Sequence, residues 1–519
     1  MQTVSDLVRA RAQDSRQRVF CSFRGQHTTY GQLLAGVQEM AGALVHAGVK
    51  PGDRVGLMLG PSVEHIQLYL AIPWIGGTVI PFSIHLRSAG LELQLDSCRP
   101  RVLLANRMHA DSIRQTLSAL RQRPSVVWFE DGINRDGEFQ LNALLGASQR
   151  VRSAVARSFD DPIVIGYTSG TTGAPKGAVL SECYWWVGTK NAAILSEAQR
   201  DDTFFLWEPF YHGAMMTVSI ALQKGARIHM VERFSASQLW DQIAAAGATK
   251  LHYLGGVVNI ILAQPQVESE RDNPVSIAWG GGCPAGSWRK LEERFGLKVR
   301  EGYGLTEGQN FTHLNLRGVF GSMGTPIEEL DCCVINDHGE TVGPGVVGQL
   351  VLKPKAPGVS MSCYWGEPEK TAEVLRDGRV YTGDLVMFDE EGNYYFKGRK
   401  KDAMRRRGEN VSAWELERVI NAAPNVEESA VIGVASSLGQ HDQEIMAIIK
   451  LRSGATPDPV EIVNFCVDRL AYYQVPRFIQ FVEEFPRGPS QRIQKQLIEV
   501  DFQNAWDAET AGVMPKRTA

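Results

Sequence analysis

The chain has 519 residues, 44% of them apolar and 22% charged, with a formal net charge of −4. That balance argues against a disordered chain, supplies no basic surplus for a nucleic-acid partner, and at this length calls for more than one domain. Residues 1–20, MQTVSDLVRARAQDSRQRVF, carry charges throughout and hold no apolar core of signal-peptide length, and no later stretch approaches a membrane span, so a cytoplasmic protein is expected.

The predicted elements begin with strand-then-helix units. DRVGLML precedes PSVEHIQLYLAIPWIG, and PIVIGYT precedes LSECYWWVGTKNAAILSEA. Repetition of this kind over residues 28–260 implies a layered α/β body with largely parallel sheets. Within it stands YTSGTTGAPKG, Tyr167 to Gly177. Three glycines within eight residues, Gly170, Gly173 and Gly177, free backbone N–H groups to face an anion; Thr168, Ser169, Thr171 and Thr172 add hydroxyls and Lys176 adds charge. The string reads as a phosphate-binding loop, distinct from GxxxxGK[ST] because no Ser or Thr follows the lysine.

After about residue 330 the texture changes to hairpins, GQLVLKPK and RVYTGDLVMFDEEGNYYFKGR, with a turn at Glu391-Gly392-Asn393. From Arg399 a compact α+β unit is expected: a helix in AWELERVINAA, strands in ESAVIGVA and EIMAIIKL, and a helix in PVEIVNFCVDRLA. The domains expected are therefore 1–398, with a β-rich part at about 330–398, and 399–519. Eight scattered cysteines without CxxC pairs read as reduced structural thiols, Cys283 as a small residue in a tight loop.

YTSGTTGAPKG resembles the signature loop of the adenylate-forming superfamily, which includes acyl-CoA synthetases, peptide-synthetase adenylation domains and luciferases. EPFYHGAMM, WGGGCP, EGYGLTEG, YTGD and GRKKDAMRRRGENVSAWELE follow in the family's order and extend the likeness over nearly the whole chain. RRGENVS is similar to carnitine and crotonobetaine CoA ligases. The resemblance implies a large AMP-binding domain of two layered α/β subdomains and a β-rich subdomain, followed by a small α+β domain that rotates about a hinge at Lys401.

It also implies roles. Nucleotide contacts fall on the loop residues Thr168 to Gly173 and Lys176, on Gly281, Gly282, Cys283 and Pro284, on Glu301, Gly302 and Tyr303, and on Asp384 with Arg399 at the ribose. Thr306 meets the α-phosphate, Glu307 holds Mg²⁺, and His212 guards the acyl and thiol entrance. Gly213, Ala214, Gly255, Gly256, Val257, Ala278, Trp279, Gly280 and Gly304 line the acyl pocket. Arg405, Arg406, Arg407, Gly408 and Glu409 face coenzyme A. The cofactors implied are ATP or AMP as acyl-AMP, Mg²⁺ and coenzyme A; the substrate is an uncharged carboxylic acid or its adenylate, and a dimer is compatible with the sequence.

One position departs from the pattern. The family closes its last loop with a glycine and a lysine that bridges the carboxylate and α-phosphate; here those places hold Gln491 and Arg492, with Lys495 at the second basic position. A guanidinium is a longer, planar fork. Losing one well-aimed donor to transition-state charge costs about 10²–10³ in rate. The reading is an enzyme that forms the CoA thioester from an acyl-adenylate, with adenylation weak or absent and a separate adenylating enzyme as partner, as suits a secondary-metabolite pathway of diterpenoid type. The alternatives are a complete ATP-dependent acyl-CoA ligase and a non-catalytic nucleotide-binding scaffold.

Overall fold

The computed structural model describes residues 1–86, 88–168, 175–400, 403–406, 409–435, 443–470, 473–487 and 493–514, with backbone alone at 88, 89, 256, 403, 405, 409, 410, 412 and 415. Contacts divide the chain into two compact units: one runs to residue 332 and takes in 352–381, the other holds 333–351 and the chain from 382. The hairpin 382–399, which the sequence reading placed with the larger domain, falls in the second unit.

The first unit holds two large sheets. One has seven strands in the order Glu138–Gln140, Ser125–Trp128, Val102–Ala105, Arg54–Met58, Thr78–Pro81, Pro162–Thr168 and Lys176–Ser181. All its pairings are parallel except the last. The other has nine, with Lys298–Leu305, Ile277–Gly281, Lys250–Leu254, Thr203–Leu206, Arg227–Met230 and Val19–Phe23 forming a parallel centre and antiparallel strands at both edges. Apolar runs such as VLLA at 102–105 and TFFL at 203–206 are buried at every position, as parallel strands covered on both faces require. Helix starts follow their caps: Ser62 accepts from the His65 N–H and Ser181 from the Tyr184 N–H.

The alternation of strands and helices is as expected, with one difference at the phosphate-binding string. Lys176–Ser181 is itself a strand, antiparallel to Pro162–Thr168 with Thr168 opposite Lys176, and the helix Glu182–Leu195 begins only after it. The string therefore joins two strands, and the helical segment expected after it follows the second of them.

The second unit carries the hairpin in which Asp384 pairs with Arg399. Its sheet of Val426–Ala435, Gln443–Leu451, Phe478–Phe481 and Trp506–Asp507 is packed by Ala413–Ile420 and Pro459–Val467. Residues 444–449 are buried without interruption because apolar clusters form on both faces of that strand. This is a mixed α/β protein with a large N-terminal part and a smaller C-terminal one.

Candidate active site

In the first unit, segment 361–365 lies along Lys176–Ser181: the Ser362 N–H donates to the Val179 carbonyl at 2.9 Å and the Trp365 N–H to that of Gly177 at 2.7 Å. This brings the buried Tyr364 ring beneath Lys176, whose Nζ is 4.9 Å from the ring centroid. The Tyr364 hydroxyl donates to Glu307 Oε1 at 2.5 Å, and the Met361 N–H donates to the Glu307 carbonyl at 3.2 Å. Burial, and then the Glu307 charge, push the Tyr364 phenol above its ordinary range, so it stays a donor. The sequence reading found Lys176 and Glu307 but not Tyr364, which links them; its aromatic string MSCYWG is the only signal there was.

Glu307 and Thr306 sit in the turn between Lys298–Leu305 and Gln309–Asn315, closed by the Gly308 N–H donating to Leu305 at 3.1 Å. The Glu307 oxygen not bound by Tyr364 has no partner among the described residues. A carboxylate oxygen of this kind suits a single protein contact to a magnesium ion, which would take its remaining ligands from phosphates and water. Tyr303, half-buried on the same strand, meets His313 edge to face at 5.8 Å.

The string WGGGCP is held by a buried acid. Glu301 accepts hydrogen bonds from the Gly282 and Cys283 N–H groups and from the Tyr253 hydroxyl. Burial raises its carboxyl to about 7. Gly282 has φ +82°, and a Cβ on Gly280 would lie 1.9 Å from the Tyr253 carbonyl oxygen. Close approach of neighbouring strands thus already requires glycine at 280. Cys283 is buried, which pushes its thiol far up and leaves it unsuited to act as a nucleophile.

His212 is exposed in the turn before Ala214–Lys224, its N–H donating to Pro209 at 2.9 Å. Gly213 follows it, and Ala214 opens the helix fully buried. Gly255, Gly256 and Val257 begin Gly255–Leu262. Ala278 is packed in the core cluster behind the sheet, while the buried Trp279 lies against His252.

In the second unit, Asp384 is buried beside Arg399, with Oδ1 to Nε 3.0 Å, and its N–H donates to Thr382 Oγ1 at 3.0 Å. Cross-strand register alone places this pair together. Arg406 differs from expectation. It is completely buried, paired with Glu444 at 2.6 Å and donating to the Val475 carbonyl at 2.6 Å, so its charge is spent inside the fold and does not face a coenzyme phosphate. Arg405 and Glu409 lie on the paired strands Ala403–Arg406 and Glu409–Ser412. Ser169 to Gly173, Lys401, Arg407, Gly408, Gln491 and Arg492 lie outside the described residues.

Among the described residues no helix is long and apolar enough to cross a membrane. Residues 8–365 match the AMP-binding enzyme family and 415–492 the AMP-binding enzyme C-terminal domain. The chain is 29% identical to a 2-succinylbenzoate–CoA ligase of Geobacillus kaustophilus, covering 96% of this chain and 98% of that one. It is 26% identical to a crotonobetaine/carnitine–CoA ligase of Salmonella typhi over 94% of this chain and 96% of the other. The ATP-bound MatB of Rhodopseudomonas palustris has the same fold, with TM-score 0.85, 26% identity, and coverage of 96% and 98%. With its family matched over most of its length in both parts, the chain belongs to the AMP-binding, adenylate-forming enzymes, among their acyl-CoA ligases.

Proposed function

We propose that this ligase carries out the thioester-forming half of the family reaction, from acyl-AMP and coenzyme A, with adenylation weak or absent. Arg492 carries the reading. The C-terminal family match runs to that residue, which supports placing it at the lysine position. Lys495, the nearest lysine, is engaged elsewhere: its Nζ pairs with Glu417 at 2.6 Å and donates to the Val431 carbonyl at 3.2 Å. That engagement supports the view that it does not substitute for the missing ammonium.

In the proposed step the coenzyme sulfur attacks the acyl carbon and the C–S bond forms. The bond from that carbon to the phosphate oxygen breaks, AMP leaves with the electron pair, and the thiol proton passes to solvent. Tyr303 stacks on the adenine, Asp384 with Arg399 takes the ribose hydroxyls, Thr306 donates to the phosphate, and His212 stands at the thiol entrance. Arg405, Arg407, Gly408 and Glu409 form the coenzyme face, and Lys401 is the hinge. A separate enzyme supplies the adenylate. Magnesium, when bound at Glu307, would screen phosphate charge.

The complete ligase is favoured by one observation, the Lys176–Tyr364–Glu307 arrangement, which suits a magnesium-bound triphosphate. Isotopic exchange between pyrophosphate and ATP, run over a panel of carboxylic acids, separates the two readings. The proposal expects exchange at background for every acid; exchange at the rate of thioester formation refutes it.

A further inference from the structure

The strand Lys250–Leu254 and the turn before Ala214–Lys224 meet at a buried acid–imidazole pair. His252 Nδ1 donates to Glu208 Oε1, with 8% and 0% of the two side chains exposed. The Trp207 indole N–H donates to the His252 carbonyl at 2.9 Å, and the His252 ring lies 4.3 Å from that of Trp279. Gly213 covers the imidazole: a Cβ there would stand 3.6 Å from His252 Cε1. Two buried polar atoms of this group, Glu208 Oε2 and Trp279 Nε1, have no hydrogen-bond partner among the described residues. A carboxylate oxygen and an indole N–H buried without partners are costly, and finding both around one imidazole points to a group that supplies what they lack.

We propose that Glu208, His252 and Trp279 form a hydroxyl subsite in the floor of the acyl pocket, and that the acid carries an alcohol or phenol hydroxyl remote from its carboxyl group. This rests on the acyl-CoA-forming reading and on Gly213 and Trp279 lining the pocket. A hydroxyl donates to Glu208 Oε2 while accepting from the Trp279 N–H. A ketone has nothing to donate to the carboxylate, and an ammonium cannot accept from the indole. His252 holds the carboxylate in place through Nδ1 and acts as a positioning residue.

The test uses acylsulfamoyl adenosines, stable stand-ins for acyl-AMP, in matched pairs with and without a hydroxyl: benzoyl with 3- and 4-hydroxybenzoyl, and cyclohexanecarbonyl with its 3- and 4-hydroxy forms. Calorimetric affinities are measured for the wild type, Glu208→Leu, Glu208→Gln and Trp279→Phe, with AMP affinity confirming that each variant is folded. At least one hydroxylated compound should bind the wild type about 10- to 100-fold more tightly than its partner. That preference should collapse in Glu208→Leu and shrink in Trp279→Phe, the second variant serving where the first does not fold. Equal affinity within every pair, or a preference that survives both substitutions, overturns the subsite and leaves an ordered water as the occupant. Thioester formation from the matching acyl-adenylates and coenzyme A is followed in parallel. Hydroxyl-selective binding without thioester would sink the functional reading alone, and thioester without selectivity would sink the subsite alone.

Discussion

Replacing Glu301 separates its two duties, holding the loop after Ile277–Gly281 and titrating within the core. In Glu301→Ala the Gly282 N–H, the Cys283 N–H and the Tyr253 hydroxyl lose their acceptor. A buried donor left unsatisfied costs about 1–3 kcal/mol, so a loss of roughly 3–5 kcal/mol is expected once some relaxation is allowed. Glu301→Gln keeps a carbonyl oxygen for the two backbone donors and should lose far less at pH 5. The pH dependence is sharper still. Burial raises the Glu301 carboxyl from 4.5 to about 7. A raised carboxyl favours the folded state fully below 4.5 and loses that advantage as pH climbs through 7, a swing of about 3 kcal/mol. Wild type should therefore fall relative to Glu301→Gln between pH 5 and 8. Urea midpoints of the two proteins measured side by side cancel the other titrating groups. Parallel pH curves for wild type and Glu301→Gln, or an alanine variant as stable as the glutamine one, would refute the reasoning.

Tyr364→Phe removes the 2.5 Å bond to Glu307 and should weaken Mg-ATP binding about 10-fold while leaving AMP binding nearly unchanged, as read by calorimetry with and without the metal. Arg406→Ala leaves Glu444 in the core with the more distant Arg477, 3.8 Å away, in place of its close partner and should destabilise the C-terminal unit by about 3 kcal/mol; Arg406→Met with Glu444→Leu should recover most of that and leave coenzyme A affinity unchanged, measured by unfolding and by calorimetry. Arg399→Ala leaves buried Asp384 without its guanidinium and should lower AMP affinity about 10-fold with no effect on coenzyme A.

Much of this was legible in the sequence because it depends on local pattern. Apolar runs bounded by turn residues became the strands Arg54–Met58 and Pro162–Thr168, and the turn at 391–393 closes the expected hairpin, with Asp389 accepting from the Asn393 N–H at 2.7 Å. The order of short strings fixed the family. What sequence could not decide is which way a charged side chain faces. EGYG looks the same whether Glu301 serves a ligand or the backbone, and only the structure shows it bonded to Gly282 and Cys283. Arg406 was readable in principle: strand alternation puts it on one face with Met404, and both are buried. The reading of RRR as a uniform basic patch ignored that period. Glu208 and His252 are 44 residues apart, and no local pattern joins them.

The most direct measurement follows thioester formation by mass spectrometry in wild type and Arg492→Lys, supplied either with acyl-AMP and coenzyme A or with the free acid, Mg-ATP and coenzyme A. The account predicts thioester from acyl-AMP in both proteins, and thioester from free acid only once Arg492 is lysine. Equal turnover of free acid and acyl-AMP by the wild type would contradict it and make Arg492 a tolerated replacement in a complete ligase.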